Sequence, residues 1–421
     1  MKKTLVLLLS AALTISMLAG CGGSSSSSAS SGTASGSSAV SSSAGSGTKT
    51  NNIFTWATSS SPSNICPFEN YTAIMDYVQG KLYRYMSNAA GTGLALVPDL
   101  ADGEPVSDDG YHWTIKLNKN AKWANGEAIN ADTFMYSWKA ALDPAMVHPA
   151  SSGLAKNIVT VVNAYEYYTQ ASTGKAVSWD DVGFKKVDDY TLSVTTVDKS
   201  SATEIMEHFQ MRHTGPVYEK LFEGGMDAGH TATNYGTEAQ YFMSSGPMML
   251  TSWTKDTECV FQKNPYYVHA DEVSLDGMVC RIVQDEATQL QLYQSGELDY
   301  IKLDTNGYDI YGEDAATITY DTSTIREIEL NFQNPDKPYL SNLNFRKALY
   351  YAIDRKTVAK LTNFKAACYF LPGTYSTSAD GTSIRALPEA QAYLPENDGY
   401  NQKLALEYFN KALEETGTSK V

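Results

Sequence analysis

The six histidines of this 421-residue chain are scattered, and the one close pair, His208 and His213, stands five residues apart. Residues three or four apart share a helical face, so this spacing does not present the two rings together to a metal. Acidic doublets occur at Asp108-Asp109, Asp180-Asp181 and Asp188-Asp189. All three sit among turn-forming residues, where carboxylates accept local backbone N–H groups or face water. Two carboxylates far apart in sequence could still meet for glycoside hydrolysis. No P-loop, GxGxxG, HExxH or GxSxG elbow occurs, so the usual phosphate, dinucleotide, zinc and nucleophile motifs are absent. No catalytic residue, metal ligand or cofactor is assigned, and the chain is not expected to be an enzyme. The 28 tyrosines pack cores and strand faces well, and rings with polar tips also suit a cleft for peptides or sugars.

Composition narrows the class of partner. With 32 Lys and Arg against 47 Asp and Glu, the net charge is −15. That surface disfavours sequence-independent nucleic-acid binding, which relies on cations to neutralise phosphates. At 43% hydrophobic and 19% charged the chain can bury a core, with room for two or three domains. Five cysteines in this length do not make a disulfide-stapled scaffold. Cys259 and Cys280 lie in strand-like segments and either pair or stay as buried thiols, and the pairing of Cys66 and Cys368 is left open.

The opening residues read as an address. Met1-Lys2-Lys3 precedes an apolar run from Leu5 to Leu18, shorter than a bilayer span, which closes on Leu18-Ala19-Gly20-Cys21. Leu-Ala-Gly-Cys resembles the bacterial lipobox, which implies lipidation of Cys21 and tethering to the outer face of the cytoplasmic membrane. Residues 22–50 are almost wholly Ser, Gly, Ala and Thr. Such a segment is a flexible linker with a coil span of roughly 30 Å.

From residue 51 strands and helices alternate. Trp113, Ile115 and Leu117 alternate with His112, Thr114 and Lys116, and Tyr111 continues the apolar set, which predicts a half-buried strand. Asn125-Gly126 marks a tight turn. Asn130 caps a predicted helix carrying Phe134, Trp138 and Ala141 on one face, which Asp143-Pro144 stops. Further strands are predicted at Thr191–Val197, Glu258–Gln262, Met278–Val283 and Ile325–Phe332. Further helices are predicted from Asp285 to Ser295 with Gly296 as C-cap, from Asn344 to Ile353, and from Asn401 with Leu404, Tyr408 and Leu413 on one face. The pattern is mixed α/β with more than one lobe and no internal repeat.

Longer stretches carry a family resemblance. They begin with Leu96-Val97-Pro98-Asp99-Leu100-Ala101 and Ser107-Asp108-Asp109-Gly110, then Lys116 to Trp123, Asn125-Gly126-Glu127 and Ala131 to Trp138. Val187 to Leu192, Ser245-Gly246-Pro247, Lys263 to Tyr267, Tyr293 to Asp299, and Phe345 to Leu349 with Tyr351 to Arg355 follow in order. Together they resemble the family-5 extracellular solute-binding proteins, the peptide-binding components of ABC importers. Trp123, Trp138, Asn125-Gly126 and Asp354-Arg355 have fold-building roles in this reading: core, turn and helix caps.

The resemblance implies an α/β, periplasmic-binding-protein-like fold (type II, cluster C) of two lobes with an extra inserted domain. Its expected division is signal peptide 1–20, lipidated Cys21 and linker 21–50, lobe I 51–90 and 216–330, inserted domain II 91–215, and lobe III 331–421. Family members continue well past the helix matching Tyr400–Gly417, so the C-terminal lobe is expected to be incomplete and the chain a fragment that would not bind normally alone. The implied partners are an oligopeptide, ABC permease subunits and the membrane through Cys21, with no nucleic acid and a monomeric state. A dipeptide, a nickel chelate, haem or an oligosaccharide are alternative ligands, and a surface sensor an alternative role. Residue-by-residue carry-over puts ligand contacts at Asn331, Phe332 and Gln333, with Glu69 and Tyr71 on a second cleft edge and Ser245-Gly246 on the cleft floor.

Overall fold

The computed structural model describes residues 52–69, 71–72, 74–87, 94–319, 325–361, 364–369, 383–392 and 394–417. Nine strands are present among them: β1 (Ile53–Thr58), β2 (Tyr83–Ser87), β3 (Leu94–Pro98), β4 (His112–Lys116), β5 (Phe184–Asp188), β6 (Thr191–Thr195), β7 (Met248–Thr254), β8 (Glu258–Lys263) and β9 (Gly277–Ile282). They form a four-stranded sheet of order β1-β9-β8-β7, the two-stranded β2-β3 pair and a three-stranded sheet β4-β6-β5. The first sheet is mixed. β1 runs parallel to β9 with Ile53 opposite Gly277, and β9-β8-β7 is antiparallel. A parallel pairing needs a long crossover, and more than two hundred residues separate these partners. Beyond β1 the sheet edge is met again by Asp299, whose N–H donates to Thr55 O at 2.8 Å and whose carboxylate accepts from Thr55 N.

The alternation in β4 behaves as its sequence predicts: Trp113, Ile115 and Leu117 are buried and His112 and Lys116 exposed, although Tyr111 stays outside the ladder and 40% exposed. Helix Ala131–Ala141 starts at a reciprocal cap. Asn130 Oδ1 accepts from Thr133 N at 3.1 Å, and Thr133 Oγ1 accepts from Asn130 N at 3.3 Å. Its buried stripe includes Phe134 and Trp138. The Trp138 ring lies 4.5 Å from Phe184 and 5.3 Å from Phe209, and its Nε1 donates to Thr214 O at 2.9 Å. One core tryptophan thus ties the helix to β5 and to the 209–214 segment. Asn125-Gly126 makes the expected turn, with Gly126 at φ +86° donating to Trp123 O.

The C-terminal helices are capped by local side chains. Asp285 accepts from Thr288 N, Asn342 from Phe345 N and Asn401 from Leu404 N, starting helices Glu286–Gln294, Leu343–Ala352 and Gln402–Thr416. Asp354 caps Arg355–Lys360 through Thr357 N. Arg355 points back to donate to the carbonyls of Tyr350 and Ile353 at the end of the preceding helix. In Gln402–Thr416 the buried positions are Ala405 and Ala412, with Leu404, Tyr408 and Leu413 half-buried, because small residues let the helix approach Leu343–Ala352 closely.

Two expectations resolve differently. Ile325–Phe332 has strand-forming residues but no ladder partner among the described residues, and Ile328 is 74% exposed. A single extended segment with no neighbouring strand cannot complete a ladder, so no strand forms there. Cys259 and Cys280 stand directly opposite across β8 and β9 and are buried free thiols. Ile282 N donates to Thr257 O and Lys263 N to Asp276 O, which makes 259/280 a hydrogen-bonded pair by alternation. The Cβ atoms of such pairs sit farther apart than a disulfide prefers. Burial pushes both thiols up to about 12, suppressing the reactive thiolate.

Candidate ligand-binding site

The segment from Asn64 to Tyr71 is pinned before it reaches Glu69. Ile65 N donates to Gly236 O at 2.9 Å, and Gln79 Nε2 donates to Ile65 O at 2.7 Å. Gly236 has φ +83°, and a Cβ there would meet Cys66 N at 2.4 Å, so only glycine permits this approach. Phe68 is fully buried between the rings of His148 and Phe222, and its carbonyl accepts from Ala150 N. The side chains that follow are therefore held from below by the core.

Two polar groups result. In the first, His148 Nδ1 lies 2.8 Å from Glu69 Oε1; the imidazole side chain is 6% exposed and the carboxylate side chain 28%. In the second, Tyr71 OH donates to Asp76 at 2.7 Å, and Asp76 also meets Lys81 Nζ at 3.3 Å. The Arg212 guanidinium lies over the Tyr71 ring, 5.8 Å from its centroid, and donates to Pro67 O at 3.4 Å. Burial, with Asp76 beside it, pushes the Tyr71 hydroxyl up, so it stays a proton donor across the physiological range. The Tyr71 ring is 54% exposed. The arrangement brings an aromatic ring and the Glu69 carboxylate of one loop together with a guanidinium that reaches the ring from the 212–214 turn.

The other sequence-assigned residues lie in different surroundings. Ser245 and Gly246 are buried, and both N–H groups donate to Val78 O at 3.0 Å. Ser245 Oγ accepts from Gly80 N at 2.9 Å, so its polar atoms serve a crossing of two backbones. Asn331, Phe332 and Gln333 form an exposed turn closed by Asn334 N on Asn331 O, with Arg346 over the Phe332 ring at 5.5 Å. Among the described residues they share no hydrogen-bond partner with the Glu69 and Tyr71 groups. Cys21 lies outside the described residues.

His148, Arg212 and Asp76 were not singled out by sequence reasoning. Nothing local marks His148 or Arg212, because they reach the loop from the 143–151 segment and the turn Arg212–Thr214. The acidic doublets do form turns: Asp109 accepts from Tyr111 N and His112 N, and Asp188 from Tyr190 N. These bonds hold both carboxyls below their ordinary range. Asp99 of the Pro98-Asp99 signature is fully buried and accepts from Lys81 N and Tyr267 OH, with Arg84 Nε 3.9 Å away. That signature residue joins β2 to the Asn264–Tyr267 turn, a scaffold role. Among the described residues no helix is long and apolar enough to cross a membrane.

Comparisons with known proteins concern the family and the fold. Residues 95–421 match the family model described as bacterial extracellular solute-binding proteins, family 5 Middle. The oligopeptide-binding protein OppA of Bacillus subtilis is 30% identical over 338 residues, covering 76% of this chain and 56% of that protein. The Bacillus subtilis dipeptide-binding protein DppE is 29% identical, covering 68% of this chain and 50% of its own length. This chain thus spans about half the length of these relatives. The structure of Listeria monocytogenes OppA bound to peptide aligns with a TM-score of 0.67 at 23% identity, covering 89% of this chain and 70% of that one. That likeness gives the fold, a two-lobe periplasmic-binding-protein-like α/β architecture. The chain belongs to the bacterial extracellular solute-binding proteins of family 5.

Proposed function

We propose that this protein captures oligopeptides outside the cytoplasm and delivers them to the permease of an ABC importer, acting by binding and not by catalysis. The observation that carries the reading is the family-5 match over residues 95–421; relatives named as oligopeptide-binding proteins add to it. The exposed Tyr71 platform between Glu69 and Arg212 supports it chemically. An extended peptide brings an apolar path, backbone dipoles and two charged ends, and each buried polar group of such a ligand needs a partner. Glu69 and Tyr71 are proposed as contacts, with Asn331, Phe332 and Gln333 on a second edge and Ser245-Gly246 as the buried support beneath. We also propose that Cys21 carries the lipid anchor, that residues 22–50 are the tether, and that the protein works as a monomer.

The test is native mass spectrometry of gently purified protein, followed by denaturation to identify released molecules. A ladder of short peptides is the expected result. Release of dipeptides alone would favour the second reading, for which the dipeptide-binding relative DppE speaks. A single non-peptide mass would overturn the peptide assignment. Replacing Cys21 by Ser is expected to move the protein from the membrane fraction to the soluble one.

A further inference from the structure

The short helix Ser152–Ala155 is met by two buried histidines from a distant stretch of the chain. His208 Nε2 lies 3.1 Å from Leu154 O. A carbonyl only accepts, so Nε2 carries the proton, and Nδ1, buried without a hydrogen-bond partner, is the bare nitrogen. His213 packs against the same helix, where a Cβ on Gly153 would meet its ring at 2.6 Å. His213 Nε2 and the Oγ of Ser151, the residue before the helix, are likewise buried without a partner. Among the described residues, carboxylates lie within ion-pair distance of His112, His148 and His269, but of neither of these two rings. The charges on the surrounding elements are committed elsewhere or positive. On the His208 helix, Glu204 caps Ser201 N and Glu207 accepts from Tyr85 of β2, where Arg84 pairs with Glu272. The 148–151 segment brings His148, bonded to Glu69, and the short helix runs into exposed Lys156. The turn Arg212–Thr214 adds the Arg212 charge next to His213.

The same turn and segment also support the backbone beneath the proposed ligand contacts. Arg212 donates to Pro67 O at 3.4 Å and lies over the Tyr71 ring, and Ala150 N donates to Phe68 O at 3.0 Å. We propose that His208 and His213 form an acid-sensitive clasp: on acidification they let go of helix Ser152–Ala155 and the turn Arg212–Thr214, slackening Pro67–Phe68 and weakening ligand binding. Only the effect on ligand rests on the peptide-binding reading. Burial lowers both histidines to about 4, with the Arg212 charge adding to it at His213 and the His213 ring at His208. In an opened junction the rings meet water and titrate near an ordinary value of about 6.5. The open form then binds protons that the closed form refuses. Opening therefore gains about tenfold per histidine for each pH unit that the pH falls between those two values. Ser151 Oγ, His208 Nδ1 and His213 Nε2 regain hydrogen bonds to water on opening, which favours local release over unfolding of the whole core.

The experiment is amide hydrogen exchange of the whole chain between pH 7 and pH 5, read as protection factors, beside calorimetric titration with alanine peptides of three to six residues. The Gly153, Leu154 and Gly215 amides, all bonded within the junction, are expected to be less protected than Cys280 and Ile282 of β9. Over that range they should lose roughly twentyfold in protection per histidine, and peptide affinity should fall about threefold or more. His208→Gln with His213→Gln should flatten both trends, since glutamine keeps a donor for Leu154 O but takes no proton. Gly153→Ala, whose Cβ displaces the His213 ring, should reproduce the acid behaviour at pH 7. Circular dichroism and melting at pH 7 show which variants fold; should the double variant fail, each single variant is expected to lose half of the pH slope. Junction protection equal to that of β9 throughout would mean opening only by global unfolding and would overturn the inference. A double variant that keeps the wild-type slope would do the same. Affinity unchanged down to pH 5 while the junction opens would sink the link to the ligand and leave the peptide reading standing. Failure of the wild-type chain to bind any peptide at pH 7 would overturn the peptide reading, with the exchange data still deciding the clasp.

Discussion

Replacing Gly246 by Ala discriminates between a ligand-contacting and a fold-supporting role for Ser245-Gly246. A Cβ on Gly246 would lie 2.7 Å from Gln79 N and 2.8 Å from Val78 C. Both are backbone atoms that cannot rotate away, so the two backbone segments must move apart and weaken the two bonds that Ser245 N and Gly246 N make to Val78 O. Overpacking of this kind costs about 1–3 kcal/mol. The companion change Ser245→Ala strips the acceptor from the buried Gly80 N–H and costs about 1–3 kcal/mol by leaving it unpaired. Read by native-state hydrogen exchange, those penalties correspond to roughly 5- to 150-fold faster exchange of the Gly80, Ser245 and Gly246 amides. Local exchange is the right assay because a chain of several units need not unfold in one step. The expected result is loss of protection in both variants, with peptide affinity falling only in proportion to it. Unchanged protection together with lost affinity would refute the argument and put these residues in contact with ligand.

Acidification should destabilise the protein through His208 and His213. Burial lowers each to about 4 from an ordinary 6.5. The unfolded chain therefore binds protons that the folded one refuses, and stability falls as pH drops from about 6.5 towards 4, on the order of 1 kcal/mol per histidine for each pH unit. Urea midpoints across that range check it, and a variant His208→Gln with an unchanged slope would contradict it. Asp354→Ala should cost about 1 kcal/mol by uncapping Arg355–Lys360 at Thr357 N, seen as faster exchange of that amide. Trp138→Ala should cost about 3–5 kcal/mol, since it empties the space between Phe184 and Phe209 and leaves Thr214 O without its donor. Thiol titration of residues 51–421 under non-reducing denaturation should find all four of Cys66, Cys259, Cys280 and Cys368 reactive; two missing thiols would mean that Cys259 and Cys280 are bridged.

The sequence by itself determined what short-range physics decides. Caps at Asn130, Asp285, Asp354 and Asn401 are legible because each side chain bonds a backbone N–H three residues on. The buried face of β4 follows from a period of two, and β6, β8 and β9 begin and end within two residues of their predicted bounds. The family resemblance was legible for the same reason, since its signatures in this chain are turns, caps and core tryptophans. Tertiary structure alone decided who meets whom. Pairing of β1 with β9 joins residues more than two hundred apart, and no local pattern encodes that choice. Strand composition at Ile325–Phe332 fails without a neighbour, because a ladder is made by two segments. Glu69 and Tyr71 were visible as polar residues on a loop, but the imidazole beside one and the guanidinium over the other come from segments 79 and 141 positions further along. The charge that a ligand would meet is set by how those distant side chains pack, and packing is a property of the folded chain as a whole.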